Sequence, residues 1–456
     1  MQLRDYQKNL ITQIGNGLRE HKSVCLQLPT GAGKTVIFSF IVKAFSDMGK
    51  RSLVLVHRRE LVKQTVRTLK EVGCNVGVIA SGMDSNPQAL VQVASVQTLI
   101  RRLDIITEPY IIIADECHHV PAGSWASIHN TFSSFRLGVS ASPARLDSKG
   151  LNDFYKSLIN GPTIKQLTAM GFLCPYKLYA PKNNLDLTGI KTVMGDYEKT
   201  ALEEAVMRPS VTGCVVSEYL KRANGKRAIM FAASIKHSKE LVTQLQSAGV
   251  RAMHLDADSD KELRDNALDL LSSGDIDVVS NVGLFSEGLD IKAVECVIDA
   301  SPTQSLVNYM QRVGRALRPF EGKQHAIILD LAGNCYRHGM PDQDREWSLQ
   351  GIEKKKRGKN KDEPSVKICE KCFAACESTN TVCPECGFVF PIQHRQIEER
   401  EGELDEITKI EIKKKKKLEQ AQCSTYEELV ALGTKRGYSN PHGWAHFIYE
   451  GRKRRY

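Results

Sequence analysis

Residues Leu28–Thr35 read Leu-Pro-Thr-Gly-Ala-Gly-Lys-Thr. The end of this run, Gly33-Lys34-Thr35, matches the phosphate-binding pattern G-x-x-x-x-G-K-[ST], with Leu28 where the pattern has its first glycine. A glycine loop of this kind turns backbone N–H groups toward phosphate oxygens at the positive end of the following helix. Thr30, Gly31, Ala32 and Gly33 would line the cradle, Lys34 would reach the β- and γ-phosphates of a nucleotide, and Thr35 would ligate Mg²⁺. The flanks suit the task. Ser23–Leu28 is a short apolar run fit for a buried parallel strand, and Val36–Phe45 continues as a helix.

About 80 residues on, the apolar run Ile111–Ala114 ends in Asp115-Glu116-Cys117-His118. Adjacent carboxylates at the carboxyl end of a strand lie where open α/β sheets bind ligands. Asp115 can hold the Mg²⁺, and Glu116 can position and deprotonate an attacking water. Leu137–Pro143 is a further strand whose Ser140 and Ser142 could relay hydrogen bonds from the Asp115–His118 turn to a neighbouring domain. Near the start, Leu3-Arg4-Asp5-Tyr6-Gln7 opens an amphipathic helix, and the Gln7 amide has the donor and acceptor that pair with adenine N6 and N7.

Later in the chain, glycines flank an acid in Gly283–Ile291, so that Gly288 lets backbone approach a ligand and Asp290 meets a ribose or the catalytic water. Gln311–Arg318 then spaces Arg312, Arg315 and Arg318 at i, i+3 and i+6. On a helix these side chains share about a third of the circumference and repel one another unless an anion is near.

Gln7, LPTGAGKT, VLVHRREL, DECH and SAS, in this order, resemble the N-terminal half of a superfamily 2 helicase of the DEAH/DECH-box kind. QRVGRALRP followed by ILDLAGN is similar to RadD-like and phage or prophage helicases, and the resemblance covers roughly residues 1–335. It implies two tandem RecA-like domains with ATP in the cleft between them and nucleic acid, DNA before RNA, lying across both. It also implies Arg315 and Arg318 as arginine fingers and Gln311 near the γ-phosphate. The departures are Leu28 for alanine or glycine, Cys117 for alanine, and SAS for SAT or TAT. None removes a group that the chemistry needs. A nucleic-acid-dependent ATPase clamp and an RNA helicase would share these motifs.

Elements must hold these groups in place. Apolar runs at Arg51–Val56, Val91–Val96, Arg227–Ala232, Ala252–Leu255 and Asp277–Val282 alternate with helical stretches, which predicts α/β architecture with parallel sheets in two like units. The expected division is an ATP-binding domain over 1–185, a linker over 186–210, a second domain over 211–345 and a basic linker over 346–364. A zinc ribbon over 365–392 and a charged helical region over 393–456 complete it.

Cys369-x2-Cys372 and Cys383-x2-Cys386 have the spacing of a tetrahedral Zn²⁺ site with no open position, hence a structural one. Five of the 13 cysteines crowd into Cys369–Cys386, and the remainder are scattered, which favours reduced thiols over disulfides. The ribbon and tail could bind nucleic acid, bind a protein partner or serve the fold alone. In the final segment Trp444, Phe447 and Tyr449 near Arg452–Arg455 could stack bases, or Trp444 could form the core of a two-helix unit.

The net charge is +10, and 22 Lys and Arg against 17 acidic residues after position 350 carry about half of it. A polyanion partner fits that surplus. No apolar run approaches the roughly 20 residues that span a bilayer, and the N-terminus lacks the apolar centre of a signal peptide. The expectation is a cytoplasmic protein of a bacterial or phage-infected cell, without a membrane partner.

Overall fold

The computed structural model describes residues 2–83, 85–143, 150–181, 185, 187–193, 195–207, 209–285, 294–350, 366–391, 417–438 and 440–453. The first sheet is built from β1 (Ser23–Gln27), β2 (Ser52–Val56), β3 (Val76–Ile79), β4 (Val91–Ser95), β5 (Ile111–Asp115), β6 (Phe135–Ser140) and β7 (Ser157–Asn160), in the order β3-β4-β2-β5-β6-β1-β7. Every pairing is parallel. Helices cover both faces, so β1, β2 and β5 are buried along their whole length, which is why they read in sequence as unbroken apolar runs. Alternate residues feed two cores. Val24, Leu26, Val54 and Ile113 enter one, and Cys25, Leu53, Leu55 and Ile112 the other.

A second sheet follows: β8 (Tyr176–Tyr179), then after a small antiparallel hairpin of β9 (Thr192–Val193) and β10 (Asp196–Tyr197), β11 (Ala228–Phe231), β12 (Ala252–Leu255), β13 (Val278–Asn281), β14 (Cys296–Asp299) and β15 (Ala326–Asp330). Its order is β12-β13-β11-β14-β15-β8, again all parallel. Strand β8 precedes the division drawn at residue 185, yet it is hydrogen-bonded into this second sheet. Both sheets are RecA-like in layout.

Register fixes where the chemistry falls. In β1 and β6, Gln27 lies beside Ser140, and in β5 and β6, Asp115 lies beside Val139. The loops after these three neighbouring strands therefore leave the carboxyl end of the first sheet together. The stretch after β15 runs back to the first sheet. There the Leu349 carbonyl accepts from Leu151 and Asn152 N–H at 2.7 and 3.1 Å, and the Leu349 side chain enters the core that contains Tyr155.

A short hairpin, β16 (Val366–Ile368) with β17 (Ala375–Glu377), carries the cysteine-rich module and sits at the free edge of β8. Tyr179 and Ala374 form an antiparallel bridge, and Ala180 N–H donates to Phe373 O at 3.3 Å. Arg222 donates to the Cys372 carbonyl at 2.9 Å, with its guanidinium 3.9 Å over the Tyr179 ring.

Residues from Pro391 onward form a unit of their own. Residues 417–422 are helical, and the helices Tyr426–Lys435 and Pro441–Lys453 make a hairpin. A Thr425–Glu428 capping box starts the first of them. Trp444 packs over Gly433 and the Tyr438 ring, while Leu429 and Ala445 are the fully buried pair. Phe447 is 77% exposed. Of the charged helical region expected over 393–456, residues 393–416 lie outside the described residues. No described helix is long and apolar enough to cross a membrane.

Candidate nucleotide site and cysteine centre

The loop after β1 takes the shape its glycines permit. Gly31 and Gly33 both have φ of +86°, a conformation that side-chain-bearing residues rarely adopt. Gly33 caps the helix Lys34–Asp47, so Lys34 and Thr35 stand in its first turn, where unpaired N–H groups and the helix dipole favour an anion. Lys34 Nζ rests 3.3 Å from Leu28 O. Leu28 itself is fully buried, and Gly161 makes the room, since a Cβ there would lie 2.4 Å from Leu28 Cδ1. The substitution of leucine for a small residue is thus absorbed from behind the loop.

Gln7 lies against this loop. Its Oε1 accepts from Arg4 N–H at 2.9 Å and its Nε2 faces Ala32 O at 3.4 Å, while Tyr6 OH donates to Ala32 O at 2.6 Å. A Cβ on Gly33 would lie 2.6 Å from Gln7 Nε2, so a side chain there would push the Gln7 amide aside.

At the end of β5, Asp115 Oδ1 accepts from Glu116 N–H at 3.1 Å, and Glu116 adopts φ +51°, a strained conformation for a residue with a side chain. Burial, with the neighbouring Glu116 charge, raises the Asp115 carboxyl to about 6, against the pull of Lys34 and His57. Two acids crowded out of water beside one lysine form a donor set that calls for a cation, which is the fit expected of a Mg²⁺ ligand. Ser140 Oγ lies 3.3 Å from Glu116 Oε2 and 3.1 Å from His118 Nδ1. The expected serine relay is therefore local to the Glu116–His118 turn in the case of Ser140. Cys117 points away into the core with its Sγ 3.5 Å from Cys25, over Gly138, where any Cβ would lie 2.7 Å from Cys117 Cβ.

The other half of the site comes from the second sheet. The helix Leu306–Ala316 carries Gln311, Arg312 and Arg315, and Gln311 and Arg315 are each 1% exposed. Arg318 lies beyond the helix end, a correction to the reading of three arginines on one helix. Pro319 disfavours helical backbone at the residue before it, so the helix stops at Ala316 and Leu317 caps it. Arg312 also differs from expectation. It donates to Asp299 Oδ1 at 2.8 Å and to Ser301 O at 2.7 Å, so a buried acid that sequence spacing did not pair with it neutralises its charge. Gln311 is the contrast: both ends of its buried amide have no hydrogen-bond partner among the described residues.

The two halves touch. A Cβ on Gly314 would lie 2.6 Å from Thr30 Cβ, and one on Gly31 would lie 3.2 Å from Arg318 Cγ. Leu317 O accepts from Cys174 N–H at 2.8 Å. Sequence reasoning missed Arg58, in VLVHRREL, which donates across to Gly283 O at 3.1 Å and Leu284 O at 2.7 Å. Gly288 and Asp290 lie outside the described residues.

Cys369, Cys372, Cys383 and Cys386 bring their four Sγ atoms within 4.8 Å of one another, with Cys369–Cys386 and Cys372–Cys383 each at 3.6 Å. A tetrahedron with Zn–S bonds of about 2.3 Å has S–S edges of about 3.8 Å, so the four thiols fit that ion. Cys376 stands apart and donates to Lys367 O at 3.4 Å.

Residues 1–145 match the family model of the type III restriction enzyme res subunit, and residues 212–319 match the helicase conserved C-terminal domain. A 51.5 kDa protein of a Lactococcus phage is 34% identical over 394 residues, covering 86% of this chain and 83% of its own. The chain belongs to the superfamily 2 helicases. Among other relatives, the Saccharomyces cerevisiae protein IRC3 is 30% identical over 354 residues, 73% of this chain but only about half (51%) of its own length. The solved structure of the ATP-dependent Type ISP restriction-modification enzyme LlaBIII bound to DNA shares the fold at a TM-score of 0.57 and 19% identity. That match covers 72% of this chain and 27% of the larger protein. A superfamily 2 helicase is a helicase-like ATPase.

Proposed function

We propose that this chain is an ATP-driven helicase or translocase that acts on nucleic acid, on DNA before RNA, in repair, recombination or phage replication. The observation that carries the reading is the apposition of Gly314 with Thr30 and of Arg318 with Gly31, which sets the arginine helix of one sheet against the phosphate loop of the other.

In this reading Thr30, Gly31, Ala32 and Gly33 surround the phosphates, Lys34 offsets their charge, and Gln7 meets the base from the back of the loop. Thr35 and Asp115 would hold Mg²⁺, which when bound supplies positive charge to the β- and γ-phosphate oxygens. Glu116, held by Ser140, orients the attacking water and takes its proton. Arg315 and Arg318 stabilise the charge that develops on the transferred phosphoryl group, worth about 10³–10⁵ in rate for an arginine finger. Gln311, with its unsatisfied amide, faces the same phosphoryl group. Because the groups belong to different sheets, the nucleotide's state controls how the sheets close, and Arg58 links that closure to the Gly283–Leu284 turn.

Cys369, Cys372, Cys383 and Cys386 would hold Zn²⁺ as a structural ion that fixes the module to β8. Binding of nucleic acid is supported by the DNA-bound enzyme that shares the fold.

The test is ATP hydrolysis without nucleic acid and then with single-stranded, duplex and branched DNA and with RNA, together with displacement of a labelled strand. Stimulation by DNA with displacement is the expected result. Retention on DNA without displacement marks a clamp, and stimulation by RNA alone contradicts the DNA assignment.

A further inference from the structure

The end of the arginine helix is held from below by a single amine. Lys323 Nζ donates to the carbonyls of Ala316, Arg318 and Val294, the last two at 3.0 and 2.7 Å. Ala316 is the last residue of the helix, and Arg318 is the second residue past it. Val294 is the first described residue after the segment that contains Gly288 and Asp290, and it leads into β14. A helix C-terminus leaves its last carbonyls unpaired and carries partial negative charge, so an ammonium there answers both deficits. Leu317 O, between the two carbonyls that Lys323 takes, is held from the other side by Cys174 N–H. Three consecutive carbonyls are thus fixed, at the point where the chain turns to set Arg318 against Gly31.

We propose that Lys323 is a positioning residue for the arginine half of the nucleotide site, tying the exit of the arginine helix to Val294 at the entry of β14 so that Arg318 is aimed at the phosphate loop. The proposal rests on the reading of that loop as the ATP site.

Burial lowers the Lys323 amine to about 8, with the Glu295 charge opposing the shift and Arg227 adding to it. The groups that face it hold their charge states around neutral pH. Burial raises the Cys174 and Cys296 thiols, so both stay protonated. Burial would raise Glu295 too, but bonds from Lys226 and Arg227 prevail and keep it ionised. Burial lowers His325, so it stays neutral. The Phe320 ring lies between Arg227, at 4.9 Å, and Lys323, at 5.3 Å. As pH rises through about 8, the amine loses its charge and one donor, and the helix end loses a tie. The sign is a fall of kcat on the alkaline side.

The experiment measures steady-state ATP hydrolysis by the full chain with saturating single-stranded DNA, from about pH 6.5 to about pH 9.5. Lys323→Met and Lys323→Arg are compared with wild type and with Lys34→Ala. Lys323→Met keeps the stem and removes the charge. Its kcat is expected to fall about tenfold with KM for ATP within about twofold, because an arginine finger acts on the transition state. Its alkaline limb disappears. Lys323→Arg keeps kcat within about threefold of wild type and moves the limb above about pH 9.5, since guanidinium does not titrate there. Wild-type kcat and an unmoved limb in Lys323→Met overturn the proposal while Lys34→Ala stays inactive. Hydrolysis that survives Lys34→Ala overturns the nucleotide-site reading and this proposal with it. Should Lys323→Met fail to fold by circular dichroism, the limb in Lys323→Arg decides alone, and a limb at the wild-type position refutes the role.

Discussion

The two sheets share a layout but present their chemistry differently. In the first, the working groups sit on loops that leave neighbouring strands and bond to one another, as Ser140 does to Glu116 and His118. In the second, they lie on one helix and the turn just past its end, and they depend on distant partners: Arg312 on Asp299, and the helix end on Lys323. The first half is preorganised by strand register. The second is organised by tertiary contacts that reach across its sheet.

The comparison can be broken by substitutions in each half. Lys34→Ala has the largest expected effect: hydrolysis falls to background, about 10³-fold or more, measured as phosphate release, because the loop loses the ammonium that reaches the β- and γ-phosphates. Ser140→Ala, in the self-bonded first half, leaves Glu116 without its hydroxyl partner. A drop of about tenfold in kcat at unchanged KM is the expected outcome in the same assay. Cys383→Ser tests the module on the edge of β8. Zinc released on denaturation falls from about one ion per chain toward zero, and the unfolding midpoint drops by about 5 °C.

The smallest effect concerns the supports of the second half. Burial, with the Asp299 charge, raises the Asp330 carboxyl to about 7, so the folded chain binds a proton there that the unfolded chain has released. By linkage this group's contribution to stability is full below its unfolded value and is lost as pH rises through about 7. Wild type should therefore lose about 1–3 kcal/mol from this group between about pH 5 and pH 8, and Asp330→Asn should flatten that slope in urea titrations.

Much of this was legible in the sequence because it is local. The P-loop glycines, the acids after Ile111–Ala114 and the four zinc-spaced cysteines are short patterns on consecutive residues, and each appears where its strand or turn puts it. What was illegible is the pairing of residues far apart in the chain. Nothing near Arg312 announces Asp299, nothing in Gly322-Lys323 announces three carbonyls, and nothing in VLVHRREL sends Arg58 to Gly283. The edge strand β8 was equally silent. Its Tyr176–Tyr179 run is short, and it belongs to the second sheet only through pairing with β15, about 150 residues later.

The central claim is that the nucleotide site is composite, with Lys34 from one sheet and Arg315 from the other. The measurement that tests it most directly is ATP turnover by Arg315→Ala beside wild type at saturating single-stranded DNA, with ATP binding followed separately by equilibrium titration. The account predicts a loss of about 10³-fold in kcat with the dissociation constant for ATP changed by less than about threefold. Turnover at the wild-type rate would contradict it and leave the first sheet as the whole of the site.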